Sequence, residues 1–169
     1  RDIDAVVHNY RLYENRASET GSKCGVVMKG ELHGLGMANV AAPLFNAGAR
    51  IFFVEELSEG IALRSLLPQT EAIIYALAGM LSGQGPYFIA HNIIPCLNSL
   101  SQVEEWNSVC GGFKNCTAAL HVDTGMNRLG LSLDEAILLA ETYNEIAPNF
   151  RITLLMSHLY DIKGTDFQN

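Results

Sequence analysis

Three short segments hold the residues whose types and spacing could do chemistry. The first is Met28-Lys29-Gly30-Glu31-Leu32-His33-Gly34-Leu35-Gly36, which follows the apolar run Cys24–Met28. A lysine at the carboxyl end of a buried strand stands where parallel α/β folds build their sites. Partial desolvation there would favour the neutral amine and hence Schiff-base chemistry. A solvated lysine at a strand end is the plain alternative. The glycines let a ligand approach the backbone, but Gly34-Leu35-Gly36 lacks the third glycine of a dinucleotide fingerprint. The second segment is His121-Val122-Asp123-Thr124-Gly125-Met126-Asn127-Arg128-Leu129-Gly130. Arg128 lies between two glycines, on a loop after another apolar run. Its planar fork suits a carboxylate or an oxyanion there, against the plain reading of a surface arginine in a turn. Asp123 reads as a turn-forming carboxylate. The third segment is Leu155-Met156-Ser157-His158-Leu159-Tyr160, in which His158 ends a further apolar run. A histidine so placed is either a site residue or a satisfied structural one. His8, on the opening helix, and His91, in a loop, read as structural or exposed.

The elements that must position these segments alternate along the chain. Strand-like runs occur at Cys24–Met28, Arg50–Val54, Ala72–Leu77, Ile93–Leu97, Ala118–Val122 and Ile152–Met156. They are continuous rather than alternating, the pattern of strands buried on both faces of a parallel sheet. Helices are predicted over Asp4–Ala17, Met37–Ala47, Ser58–Leu66, Ser101–Val109 and Ser132–Ile146. Ser58 is expected to cap its helix, Gly48 to stop the one before it, and Ser132 with Glu135 to form a capping box. The βαβ order predicts an α/β fold with right-handed crossovers. Periodicity leaves two architectures open, an open doubly wound sheet and a (β/α)8 barrel. The barrel needs eight strands and typically about 250 residues, whereas six runs are visible here.

Composition narrows the function classes. A net charge of -7 argues against a nucleic-acid partner, which needs a basic face. No apolar stretch reaches the roughly 18 residues of a membrane span. The first residues carry mixed charge and no apolar core, so no signal peptide is read there. Cys24, Cys96, Cys110 and Cys116 form no CxxC motif. Cys24 and Cys96 read as buried free thiols, and Cys110 and Cys116, beside a Gly-Gly loop, could bridge or bind metal, with no second ligand pair to favour a metal. The expectation is a cytoplasmic protein with reduced thiols and no metal.

Taken together, the three segments resemble the fold-type III pyridoxal-phosphate enzymes, and the alanine racemases most closely. Asp123–Gly130 carries the most specific likeness. Ile3-Asp4-Ala5, the run Cys24–Gly36, Pro95-Cys96-Leu97-Asn98-Ser99-Leu100 and Met156-Ser157-His158 support it, in family order along nearly the whole chain. The resemblance implies pyridoxal 5'-phosphate as cofactor and interconversion of L- and D-alanine by two bases. Lys29 matches the lysine that carries the cofactor as a Schiff base and serves as one base. Arg128 matches the arginine between cofactor and substrate carboxylate, and His158 the histidine beside the cofactor ring. His33 stands in place of a tyrosine that contacts the cofactor phosphate. His121 stands where some members carry a carbamylated lysine that orients the arginine, a device a histidine cannot form.

The resemblance further implies a (β/α)8 barrel, covered here through its sixth strand, then a mostly β second domain. The opposing catalytic tyrosine would come from that domain of a partner subunit, so a homodimer is expected, supplying D-alanine for the cell wall. Residues 1–169 are thus expected to be part of the cofactor-binding barrel, with open edges at Cys24–Met28 and Ile152–Met156 and no activity alone. A single-domain, non-catalytic carrier of the cofactor and an amino-acid decarboxylase of the same fold type are the alternatives.

Overall fold

The computed structural model describes residues 2–160, apart from the side chain of His33. Six parallel strands alternate with helices in two compact units. The first runs through Leu77 and takes in Ala90–Ile93; the second holds Ala78–Ile89 and the residues from Ile94 on. This alternation is that of an α/β fold, as the βαβ order predicts.

In the first unit, helix α1 (Ile3–Ser18) begins where Asp2 accepts from the Ala5 amide at 3.0 Å. Strand β1 (Val26–Val27), helix α2 (Met37–Asn46), strand β2 (Ile51–Val54), helix α3 (Leu57–Leu66) and strand β3 (Ile73–Ala76) follow. The three strands pair in parallel, in order β1-β2-β3, with Val27 beside Phe53 and Phe53 beside Tyr75. Phe52, Val54, Ile74 and Met28 are fully buried between sheet and helices. Strand β1 is shorter than the run Cys24–Met28 that predicts it, and Cys24 is half-buried rather than buried. Its amide is held by Glu14 at 2.7 Å, which draws the chain off the ladder there. Ser58 does not cap α3: Glu56 holds the cap position, and the Ser58 hydroxyl donates to the Glu56 carboxylate instead.

Arg64 is the one buried cation among the described residues. Its guanidinium donates to the carbonyls of His91, Pro68, Ala72 and Asn92 at 2.7–3.2 Å. Burial lowers its pKa from the ordinary value. The Pro68 carbonyl also accepts the Ala72 amide at 3.3 Å, and the guanidinium adds a charged donor to it and to the other three oxygens.

The second unit holds helix α4 (Gly85–Ala90), strand β4 (Ile94–Leu97), helix α5 (Leu100–Cys110), strand β5 (Thr117–His121), helix α6 (Leu133–Ile146) and strand β6 (Arg151–Met156). The strands pair in parallel, in order β4-β5-β6, with a register irregularity at Ala118/Ala119. Phe88 meets Trp106 edge to face at 6.1 Å between ring centres in its core. The capping box of α6 is formed, with Ser132 and Glu135 bonded reciprocally. Helix α4 is absent from the predicted elements; its six residues are too few for a readable period. Strand β6 departs from the doubly buried reading. Exposed and half-buried residues alternate along it, and Leu155 is 68% exposed. Among the described residues it pairs with β5 alone, and its outer side with α6 borders an apolar groove of about 1050 Å³ lined by residues that include Leu133, Ile137, Tyr143, Ile152 and Leu155.

The four cysteines are free, with Cys96, Cys110 and Cys116 buried. Among the described residues no three His, Cys, Asp or Glu side chains are grouped as a metal ion would need, and no helix is long and apolar enough to cross a membrane.

Replacing Arg64 by Met removes the donors but keeps most of the apolar stem. Four carbonyl oxygens then lose a charged donor, and the expected loss is about 2–4 kcal/mol. Urea denaturation should show a lower midpoint with an unchanged slope; a midpoint equal to the parent's would mean that water or backbone replaces the guanidinium.

Candidate functional site

In the first unit the site residues stand at the carboxyl ends of β1 and β2. Lys29 leaves β1, and Glu55 leaves β2 two residues past its partner in the ladder. Lys29 Nζ donates to Glu55 Oε2 at 2.6 Å, with each side chain 44% exposed. The lysine side chain is thus half-exposed and ion-paired at the end of a short strand. After Lys29 the chain enters a 3-10 turn, Gly30–Gly34. Gly30, Glu31 and Leu32 have φ of 60°, 54° and 51°. Left-handed backbone is open to glycine but strained for leucine, so an outside hold is needed. Glu59 of α3 provides one. Its Oε1 accepts the Gly30 amide at 2.9 Å and its Oε2 the Glu55 amide at 2.7 Å. His33 belongs to this turn, and its side chain lies outside the described residues.

In the second unit the chemistry surrounds the end of β5. The loop from Asp123 to Gly130 carries Arg128 and is closed at its base by Leu131, which donates to the His121 carbonyl at 2.8 Å and accepts from the Asp123 amide at 2.8 Å. Asp123 Oδ1 takes the amides of Gly125 and Asn127 at 2.9 and 3.0 Å, as its reading as a turn former predicts. These amides, Asn127 first, lower its carboxyl pKa. Gly130 has a φ of 109°, and a Cβ there would come within 2.8 Å of the Asp123 nitrogen and 3.2 Å of His121 Cδ2. Glycine is therefore required for the loop to lie against the imidazole. Arg128 and His158 are exposed, His158 two residues beyond β6. Thr124 and Ser157 join the two loops through a hydroxyl contact of 2.6 Å.

His121 is buried, and its tautomer follows from its neighbour. Asn98 Nδ2 donates to the Cys96 carbonyl at 2.9 Å, so Oδ1 is the group facing His121 Nδ1 at 2.8 Å. The proton therefore sits on Nδ1, and Nε2 keeps its lone pair on the side of the Gly130 loop. Burial lowers the His121 pKa; His158 and Arg128 lower it further, and Asp123 opposes them.

The structure thus brings Lys29 together with Glu55 and Glu59 in the first unit, and His121 together with Asn98, Arg128 and His158 in the second. Glu55, Glu59 and Asn98 escape a reading of the sequence for chemistry. For Glu55 and Asn98 the signal was present, since each directly follows a predicted strand. Glu59 reads only as a first-turn acid. His8 is exposed and His91 half-buried, on the periphery of the first unit. The apolar groove beside β6 includes none of Lys29, Arg128 and His158.

Known proteins resemble this chain in sequence and fold. The family model described as alanine racemase, N-terminal domain, matches residues 1–169. The alanine racemase of Methylobacterium nodulans is 43% identical over 159 residues, covering 94% of this chain and 41% of that protein. That of Rhizobium meliloti is 39% identical over 158 residues, 94% of this chain and 40% of the relative. The chain therefore spans about two-fifths of the length of these relatives. Among solved structures, alanine racemase from Bartonella henselae with covalently bound pyridoxal phosphate superposes with a TM-score of 0.84 at 34% identity, over 95% of this chain and 44% of that one. A histidine racemase from Leuconostoc mesenteroides shares the fold with a TM-score of 0.79 at 21% identity, over 94% of this chain and 42% of that one.

The state of His121 makes stability depend on pH. The unfolded chain takes up a proton as pH falls through about 6.5, the ordinary imidazole value, while the folded chain resists it. The unfolded state then binds more protons, so stability falls as pH falls below that value. Urea midpoints measured between about pH 7.5 and pH 5 should decline, and less steeply in His121→Gln. An identical decline in the variant would assign the effect to other groups.

Proposed function

The chain belongs to the family of alanine racemase N-terminal domains, and from that premise we propose that the whole protein is a pyridoxal-phosphate-dependent racemase interconverting L- and D-alanine. The observation that carries the reading is Lys29. It stands at the carboxyl end of β1, its side chain is half-exposed, and a Cβ on the next residue, Gly30, would meet no heavy atom within 4 Å. The site residues suit this cofactor. A half-exposed primary amine is what an aldehyde condenses with, and the backbone at Gly30, next in the chain, leaves room for an approaching group. Arg128 and His158 add a guanidinium and an imidazole, both exposed, which suit anionic groups.

When bound, pyridoxal phosphate supplies the electron sink that allows the substrate Cα–H bond to break. The remaining roles fall to the chain. Lys29 holds the cofactor covalently and moves a proton at Nζ on one face of the substrate. Arg128 grips the substrate carboxylate with its planar fork, on a loop made stiff by Asp123. His158 would contact the cofactor ring, and His33 would serve its phosphate. The base on the opposite face is a tyrosine of a second, mostly β domain of a partner subunit, so the working form is a homodimer. It acts in the cytoplasm and provides D-alanine for the cell wall. The fold alone does not choose the amino acid, since a histidine racemase shares it. The assignment to alanine rests on relatives at 39–43% identity. The relatives described above are racemases, which disfavours the carrier and decarboxylase alternatives.

Borohydride reduction of the full-length protein with its cofactor should fix the adduct on Lys29, read by peptide mass mapping. An adduct on Lys23 or Lys114 would overturn the assignment. Lys29→Ala should abolish racemisation. Arg128→Lys should lower kcat/KM by about 100-fold with little change in melting temperature, because a point charge cannot replace a bidentate fork; parent-like kinetics would remove Arg128 from the site.

A further inference from the structure

Two carboxylates in the first unit have no part in the reading given so far. Glu55 is the direct partner of Lys29 Nζ at 2.6 Å, and Glu59 holds the backbone on both sides of that contact. An ion pair with both side chains half-exposed adds little to folding stability. Its geometry is nevertheless closely specified. The β1-β2 register sets Val27 beside Phe53, so two further steps set Lys29 beside Glu55. Glu59 then fixes the turn on each side with a single carboxylate, through the amides of Gly30 and Glu55. It also steadies a turn in which Glu31 and Leu32 sit in the strained left-handed region. A feature that is worth little to stability but is held from two sides is better explained by the lysine's chemistry.

We infer that Glu55 is a catalytic residue that receives the hydrogen bond of Lys29 Nζ when the lysine carries a proton, and that Glu59 is the positioning residue that sets both. The inference rests on the reading of Lys29 as the cofactor lysine. On the Lys29 face the substrate Cα–H bond breaks and an N–H bond forms at Nζ, with the electron pair left on the substrate side. The lysine becomes an ammonium, and the Glu55 carboxylate is its charge-assisted acceptor. In the return direction the same contact releases the ammonium proton to Cα. Glu59 touches neither substrate nor Nζ; it keeps the Lys29 turn and the Glu55 backbone in register.

The test uses the full-length protein and three variants, Glu55→Gln, Glu59→Gln and Glu56→Gln. Glu56 is the control: the adjacent carboxylate, exposed, bonded to Ser58 and without contact to Lys29 in this arrangement. Glu55→Gln should lower kcat about tenfold with little change in KM. It should also raise the primary deuterium isotope effect for one alanine enantiomer only, the one whose α-hydrogen Lys29 takes. A purely structural defect would not separate the enantiomers. Glu59→Gln keeps one acceptor for two amides, and it should slow the covalent capture of pyridoxal 5'-phosphate by the apoprotein about fivefold, read by stopped-flow absorbance. Glu56→Gln should match the parent in every measurement. The inference is overturned if Glu55→Gln behaves like Glu56→Gln, or if both enantiomers change alike. Should Glu55→Gln fail to fold, Glu55→Asp withdraws the charge by one methylene and must show the same one-sided isotope effect; its absence overturns the inference too. Failure of borohydride to label Lys29 in the parent would instead bring down the cofactor reading itself.

Discussion

Parallel pairing is the constraint on which these two units depend. A parallel strand must be followed by a crossover, so successive strands in a sheet all point the same way and their carboxyl ends form a row. The ladder then makes neighbours of residues far apart in sequence. Val27 pairs with Phe53, and two steps on Lys29 meets Glu55. Leu97 pairs with Leu120, and one step on Asn98 meets His121. In the third pairing His121 lies beside Met156, which brings the Arg128 loop and the segment of His158 to one end of one sheet. None of these contacts needs a special motif. The contacts of Lys29 and His121 lie within two steps of a ladder built mostly of apolar residues.

What the ladder leaves unsatisfied at its ends, acceptor side chains collect. Glu59 takes two amides beside Lys29, Asp123 takes two in the Arg128 loop, and Gln102 takes the amide of Asn98 at 2.9 Å. A carboxylate accepts without needing to donate, so it can serve two N–H groups that point the same way, where a hydroxyl would be limited. Several of the acidic residues behind the negative net charge therefore act inside the loops. They do not form a solvated surface field, which is why the overall charge says little about the site.

The fold was legible wherever local chemistry and tertiary packing agree. Ser132 and Glu135 form their box because both partners lie in one turn, and the strand runs appear where apolar residues are continuous. Ser58 misled because α3 starts one residue earlier, at Leu57, so Ser58 lies inside the first turn and its hydroxyl donates to the Glu56 carboxylate rather than accepting a cap amide. Strand β6 misled because a continuous apolar run looks the same whether one face or both are covered; Leu155 is exposed, while Ile152 and Met156 are half-buried. In the site, Lys29, Arg128 and His158 were visible as chemistry-bearing types next to glycines or at strand ends. Glu55 and Asn98 were not, because a carboxylate or amide after a strand usually turns a chain. Only the register shows what lies beside them. Glu59 was hidden for the opposite reason: an acid in a first helical turn has a sufficient local explanation.

The hydrogen bonds of the Arg64 guanidinium go to four backbone oxygens. A carbonyl is present whatever residue carries it. The identities of Pro68, Ala72, His91 and Asn92 are thus largely invisible to the guanidinium, which senses only the path of the chain. Such a keystone separates shape from spelling. Sequences on this stretch can drift among relatives while the path is kept, provided the arginine stays, and an insertion that adds length should be tolerated far less well than a change of letter.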